Sequence, residues 1–227
     1  MARQVGTVLG IAVRSAVTAA PTQCDRAQAM AGCGLAGDIH ADPRSPRQVL
    51  VAGASAYEAL GLPPNALREN LLLDIDTAGM ASGTVLRIGR EASLRLSFQC
   101  EACGSLDKHA AGLARAIGGR RGVLARVLAG GEIRVGDPVT LLDGRLPALP
   151  EDWRERVAQV LHAVPPGQVI GYADLAFVAG VQSSYCRAFP RLLARLGPAH
   201  AAKAAPARAG AALPRWDGSG FHALSES

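Results

Sequence analysis

Thr84-Val85-Leu86-Arg87-Ile88-Gly89-Arg90-Glu91-Ala92-Ser93-Leu94-Arg95-Leu96-Ser97 alternates apolar and polar side chains on both sides of Gly89-Arg90-Glu91. A period of two puts one set of side chains on each face of a strand, and a glycine-bearing break between two such runs reads as a hairpin. The second arm continues through Phe98-Gln99 to Cys100-Glu101-Ala102-Cys103, so two thiols stand at a strand end. Working outward, Val5–Val13 and Gln48–Ala52 read as strands, the second short and buried. Ile133–Val135 and Pro138–Leu142 flank Gly136-Asp137 and read as a further hairpin. Helices are predicted over 55–60, stopped by Gly61 and Pro63-Pro64, and over 122–128, stopped by Gly130-Gly131. The expected first domain, residues 1–145, is β-rich and barrel-like with short helical inserts.

Asp143–Pro150 carries two prolines and reads as a linker. Beyond it the pattern turns helical. Glu151-Asp152-Trp153 opens a helix whose apolar stripe is Val157, Val160 and Leu161. Val169-Ile170 is extended, and further helices are predicted over 172–179 and 187–196. Two short helices joined through Gly180, the second of them basic, suggest a helix-turn-helix, and 215–220 suggests a small β-wing. Residues 199–212 are low in complexity and read as loose. The expected fold class is α+β: a barrel-like domain followed by a small winged helix-turn-helix domain over 146–227.

The net charge of +5 is too mild to imply a polyanion partner by itself. Its distribution says more, because every charged residue between Gln182 and Arg215 is Arg or Lys. The same stretch also fits a solvated basic tail. The five cysteines are odd in number and irregularly spaced, which argues against a secreted disulfide framework. No signal segment or membrane-length apolar run stands out, so a cytoplasmic protein without a membrane partner is expected.

Several polar clusters in the first domain are hard to explain by packing. They are Gly37-Asp38-Ile39-His40, Arg47-Gln48 and Arg68-Glu69-Asn70. With Cys103 and Arg121 they supply a thiol, guanidinium groups, amides and carboxylates, a set suited to an anionic cofactor or small-molecule substrate. Read singly, each has a plainer account: His40 as a turn residue, Asp38 as a turn cap, Arg68 and Glu69 as a solvated pair. Cys100 reads as a core filler or a resolving thiol. A zinc site at Cys100 and Cys103 needs two more ligands, and Cys24 and Cys33 are poorly spaced to supply them.

Taken in order, Gly37-Asp38, Arg47-Gln48-Val49, Leu67-Arg68-Glu69-Asn70-Leu71, Gly83, Ile88-Gly89, Cys103-x-x-Leu106, Arg121-Gly122 and Gly131-x-Ile133-x-x-Gly136-Asp137 resemble the MOSC domain, named for the C-terminal domain of molybdenum-cofactor sulfurases. The resemblance spans about residues 1–142. It implies binding of molybdenum cofactor or transfer of sulfur, with Cys103 as persulfide carrier or molybdenum ligand. It further implies that Asp38, Arg47, Gln48, Arg68, Glu69, Asn70 and Arg121 contact the cofactor. Some members of the family reduce N-hydroxylated compounds, nucleobase analogues among them. Ala102 stands where the family has proline.

From Trp153 to Leu196 the chain is similar to the DNA-binding domain of O6-alkylguanine-DNA alkyltransferases. The match rests on Val160-Leu161-x-x-Val164-Pro165-x-Gly167-Gln168-Val169-Ile170-x-Tyr172-x-x-Leu175-Ala176, Gly180 and Arg187-Ala188. It implies that Tyr172 and Arg187, with Arg191, face double-stranded DNA bearing a modified base. The family's nucleophile motif is replaced by Ala205-Pro206-Ala207-Arg208, with neither Cys nor His, so alkyl transfer by that route is excluded. Pro190 stands where the family has glycine; besides the helix over 187–196, the sequence thus also allows one that starts near Pro190, with Arg187 ahead of it. The expected function is therefore a molybdenum-dependent oxidoreductase or sulfurtransferase joined to a DNA-binding module. The alternative is a non-enzymatic sulfur carrier or damaged-DNA binder.

Overall fold

The computed structural model of the chain describes residues 2–109, 111–206 and 213–223. The chain forms two compact units, one of residues 1–42 and 47–149, the other of 43–46 and 150–227. Among the described residues no helix is long and apolar enough to cross a membrane.

The first unit runs β1 (Arg3–Val13), β2 (Thr22–Cys24), β3 (Arg26–Met30), β4 (Gly34–Leu35), β5 (Val49–Gly53), α1 (Ala54–Leu60), β6 (Leu71–Leu73), β7 (Thr84–Ile88), β8 (Ala92–Gln99), α2 (Leu113–Ala116), β9 (Val123–Ala129), β10 (Gly131–Arg134) and β11 (Pro138–Arg145). Strands β11, β7, β8, β9, β5, β6 and β1 pair in that order, and β1 returns to β11 to close a barrel. Irregular registers between Gln4 and Gly6 and between Val8 and Gly10 let β1 bend across two neighbours. The barrel interior is filled by Val8, Ile11, Val49, Val51, Leu71, Leu73, Leu86, Leu94 and Val127. β10, β3 and β4 form a separate three-stranded sheet, whose Ala27, Ala29, Leu35 and Ile133 join that core.

Three local expectations change. Residues 122–128 are not a helix but β9, a central strand between β8 and β5. Val123, Leu124, Ala125, Arg126 and Val127 are all buried, so the run carries no strand alternation and its composition passes for a helix. The Gly136-Asp137 turn does not make a hairpin either. Asp137 accepts the Arg134 amide at 2.7 Å and closes the turn, but β10 pairs with β3 whereas β11 pairs with β1 and β7. The reversal links two sheets. The expected linker is also part of the barrel unit. Leu146 donates its amide to Gly83 at 2.9 Å and Leu149 donates to the Ser82 hydroxyl at 2.8 Å. This segment covers the outer face of β8, where the Arg95 guanidinium donates to the Pro147 carbonyl, and this is why the polar member of that alternation is buried.

The second unit contains α3 (Trp153–Ala163), β12 (Val169–Gly171), α4 (Tyr172–Val178), α5 (Phe189–Leu196), α6 (Pro198–Ala201), β13 (Ala204–Ala205) and β14 (Arg215–Trp216). Asp152 caps α3 by accepting the Arg154 amide at 2.8 Å. Val157, Val160 and Leu161 face the core as the pattern predicts, against Leu175, Val178, Phe189 and Leu193. Arg156 is buried too. It donates to the carbonyls of Ala179, Pro150 and Glu151 at 2.8–2.9 Å, so its charge sits against the C-terminal end of α4. A 3-10 turn over Ser183–Ala188 precedes α5, with Pro190 in the first turn of that helix. The expected wing is not formed among the described residues: β13 and β14 each pair with β12 in parallel, whereas a wing is an antiparallel hairpin. Ala207 and Arg208 of the altered nucleophile motif lie outside the described residues.

Candidate functional site

Strand register brings distant residues to one rim of the barrel. Ile11 pairs with Leu71, Leu71 with Val51, Val51 with Val123, and Val123 with Gln99. Just beyond this row the chain leaves β1 and β8 and enters β5, β6 and β9. The residues at those five places are Arg14, Cys100 to Cys103, Arg47, Arg68 to Asn70, and Arg121. Arg14, Arg47, Arg68 and Arg121 line one cavity of about 170 Å³, together with Asp38, His40, Glu69, Asn70 and Cys100.

Asp38 and Asn70 build the frame of this cavity. Asp38 accepts the Arg14 and His40 amides at 2.9 and 2.8 Å and the Asn70 side-chain amide at 2.8 Å. Asn70 also donates to the Ala12 carbonyl at 3.1 Å and accepts the Leu50 amide at 2.9 Å. Their polar groups are therefore spent on joining β1, β5 and β6. Ahead of Asn70 the backbone takes a left-handed turn, with φ of 60° at Asn65 and 59° at Arg68. That region is unfavourable for a side-chain-bearing residue, and such outliers gather where function over-determines geometry. Here the turn leaves the Arg68 side chain exposed at the rim while Glu69 and Asn70 point inward and are buried.

Like charges crowd one another in this cavity. Burial and then the charge of Arg68 lower the Arg14 pKa, with Asp38 opposing. His40 is also lowered, first by desolvation, with Arg14, Arg47 and Arg68 adding to it against Asp38. Arg14 Nη2 lies 2.5 Å from His40 Nε2. A guanidinium has no acceptor, so Nε2 accepts and the imidazole is neutral with its proton on Nδ1. Burial raises the Glu69 carboxyl pKa, a shift that the Tyr57 hydroxyl opposes by donating to Oε2 at 2.6 Å. Four guanidinium groups facing two carboxyls, one with weakened acidity, leave the cavity positive. Chemically, such an arrangement is suited to an anion.

Cys103 stands at the edge of this arrangement. Arg121 Nη1 donates to its Sγ at 3.0 Å and to the Glu101 carbonyl at 2.7 Å. Arg121 is 9% exposed, and its Nε has no hydrogen-bond partner among the described residues. A buried guanidinium N–H without an acceptor carries a desolvation cost that a bound oxoanion would remove. Cys100 is buried in a small cluster with Leu50, Phe98, Leu124 and Leu149, and burial raises its pKa despite nearby Arg121 and Arg47. Its surroundings are those of a core filler.

The expected site residues thus divide. Asp38, Arg47, Arg68, Glu69, Asn70 and Arg121 come together, and Cys103 meets them through Arg121. Gln48 does not line the cavity. It donates to the Gly32 and Asp42 carbonyls and accepts the Val127 amide at 2.9 Å, which uses its whole amide on the fold. Arg14 belongs to the cavity, although nothing local to Val13-Arg14-Ser15 marks it. In the second unit Tyr172 is half-buried, its ring edge-on to Phe189 at 5.5 Å. Arg187 is exposed on the 3-10 turn, where its Nε donates to the Ser184 carbonyl at 3.3 Å, and Arg191 is exposed on α5. Cys186 donates to the Tyr172 carbonyl at 3.5 Å and packs against the core of this unit.

Residues 39–140 match the family model described as the MOSC domain. Among solved structures, the YuaD protein from Bacillus subtilis is 17% identical with a TM-score of 0.53, covering 62% of this chain and 98% of its own. A structure described only as a hypothetical protein is 20% identical with a TM-score of 0.54, covering 86% and 92%. YiiM from Escherichia coli is 18% identical with a TM-score of 0.49, covering 82% and 91%. At these identities the first two likenesses speak for the fold alone. No curated protein sequence matches.

Proposed function

We propose, from the match of residues 39–140 to the MOSC domain model, that the arginine cavity of the first unit holds the molybdenum cofactor with Cys103 as protein ligand. The observation that carries this reading is the Arg121–Cys103 contact at 3.0 Å on the edge of a cavity ringed by guanidinium groups. The donor set fits the group. Arg14, Arg47, Arg68 and the uncommitted Nε of Arg121 suit its phosphate. Such a cofactor supplies two-electron redox chemistry at molybdenum. The chain's own residues bind and orient: Arg121 fixes the Cys103 sulfur, Asp38 and Asn70 hold the rim strands in register, and His40 presents a neutral imidazole. The substrate class that the MOSC resemblance implies is N-hydroxylated compounds, nucleobase analogues among them.

Anaerobic purification followed by metal and pterin analysis tests this. Wild type is expected to carry near-stoichiometric molybdenum, and Cys103→Ser to lose it. Molybdenum in neither protein, with a persulfide on Cys103 by mass spectrometry, would replace this reading with a sulfur carrier. Neither molybdenum nor persulfide would reject both.

A second reading concerns the second unit and rests on its charge. Arg187, Arg191 and Arg195 are exposed and spaced four apart, and the charged residues from Gln182 to Arg215 are all basic. We infer a duplex-DNA contact of the kind the alkyltransferase resemblance implies, binding without alkyl transfer. On the full chain, DNA affinity is expected to fall steeply with salt, and Arg191→Ala to reduce the log–log slope by about 1. No binding of duplex at low salt would end this reading.

A further inference from the structure

An anion in the arginine cavity leaves the Glu69 carboxyl without a role. Glu69 is 4% exposed and borders that cavity. Its Oε2, however, is held by the Tyr57 hydroxyl at 2.6 Å, and Tyr57 lines a different cavity, of about 190 Å³. Ala12, Glu69 and Asn70 form the wall between the two spaces, and Asn70 donates to the Ala12 carbonyl at 3.1 Å, which ties that wall together. Burial raises the Glu69 pKa, and what opposes the rise is the Tyr57 hydroxyl and its own backbone amide, not a guanidinium. Among the described residues this carboxyl therefore has a hydrogen-bond donor but no counter-charge.

The second cavity is otherwise apolar. Ile11, Leu62, Pro64 and Leu72 wall it with the Tyr57 ring, and no Arg or Lys among the described residues lines it. Gln23 and Asn65 border it too, but the Gln23 side-chain amide donates to Asn65 Oδ1, so these two satisfy each other. Gly10 lines it and pairs with Leu72 across β1 and β6 with no side chain of its own. A Cβ there would lie 3.7 Å from Leu72 Cβ and 3.9 Å from Gln23 Oε1, ordinary contact distances. The backbone accepts a larger residue, and such a residue would fill the cavity. An apolar cavity of about 150 Å³ takes up benzene, so this one has room for a six-membered ring.

We propose that the cavity behind Gly10 is a separate binding site for a small aryl ammonium, whose ring lies among Ile11, Leu62 and Leu72 and whose cationic nitrogen donates to Glu69. The carboxyl is already out of water in the free protein, so the complex adds only the desolvation of the ligand's own charge. Apolar walls strengthen the attraction between the two charges, and the Tyr57 ring offers a π face to the same cation. The ring itself buries an apolar surface comparable to that of a core side chain. The site does not depend on what fills the arginine cavity.

Isothermal titration of the full chain with benzylamine and with benzyl alcohol tests the proposal. The two share a ring and differ in charge, since an aliphatic amine is protonated at neutral pH as that of Lys is. Benzylamine is expected to bind about 5- to 30-fold tighter. In Glu69→Gln the benzyl alcohol Kd is retained, which reports a folded cavity, and the preference for the ammonium is lost. Gly10→Val fills the space from β1 and abolishes binding of both ligands, with far-UV circular dichroism reporting that the barrel is intact. Equal affinity for the two ligands in wild type, an ammonium preference that survives Glu69→Gln, or binding that survives Gly10→Val overturns the proposal. Failure of wild type to bind either ligand overturns it as well.

Discussion

Alanine in place of Gly122 lowers the stability of the barrel by about 2–6 kcal/mol, combining backbone strain with overpacking. Gly122 has a φ of 114°, a conformation that side-chain-bearing residues avoid. A Cβ there would sit 2.4 Å from the Val51 carbonyl oxygen. Val51 pairs with Val123, so the clash falls on the ladder between β5 and β9. The Gly122 carbonyl also accepts the Cys100 amide at 2.8 Å. Relieving the clash therefore moves β5, β9 or the end of β8, all of which support the cavity, and anion binding should weaken in the same variant. Both tryptophans, Trp153 and Trp216, lie in the second unit. The loss is therefore read from urea unfolding followed by far-UV circular dichroism. An unchanged transition would show that the strands yield at little cost.

Arg121→Met is expected to weaken phosphate binding by about 10- to 150-fold, the value of one charge-assisted hydrogen-bonding group. Methionine keeps an unbranched stem of apolar atoms and removes the guanidinium. Arg121 differs from the other cavity arginines in being mostly buried, with Nη1 committed to Glu101 and Cys103 and Nε uncommitted. Its charge is therefore poorly screened by water and salt. Arg121→Lys should recover only part of the loss, because an ammonium restores charge without the planar fork that reaches two acceptors and a ligand together. Calorimetry at low ionic strength on cofactor-free protein measures both variants. Phosphate affinity unchanged in Arg121→Met would remove this residue from the site and leave the less buried Arg14, Arg47 and Arg68 to account for it.

Legibility in the sequence follows residue alternation. β7 and β8 are readable because their sequences alternate apolar and polar residues, although Arg95 and Ser97 of β8 are buried as well. β1 and β5 are readable because each is an apolar run bounded by turn residues and too short for a buried helix. β9 is not, since Val123 to Val127 are buried on both faces and strand periodicity vanishes. The turn at Gly136-Asp137 is visible, but a turn fixes a reversal, not the partner of the strand that follows. In the site, Arg68-Glu69-Asn70 and Arg121 stand out as polar interruptions of apolar sequence. Gln48 stands out for the same reason and is structural, because just ahead of β5 its side chain is taken up by the Gly32 and Asp42 carbonyls and the Val127 amide. Arg14 is hidden because its place in the cavity comes from β1 pairing with β6, a long-range register that no local pattern encodes. The family resemblance, by contrast, carries the first domain as a set of motifs no single one of which would suffice.

The seam where β1 meets β11, with Arg3 facing Leu141, has a consequence during synthesis on the ribosome. Elongation proceeds at about 5–20 residues per second, so β1 waits on the order of ten seconds for the strand that covers it. Through that interval β1 and then β7 each present an open strand edge, the surface most prone to pairing with another chain. Shutting the barrel is thus an event of the last-made strand, and the nascent first unit is a natural client for a chaperone until β11 has left the exit tunnel.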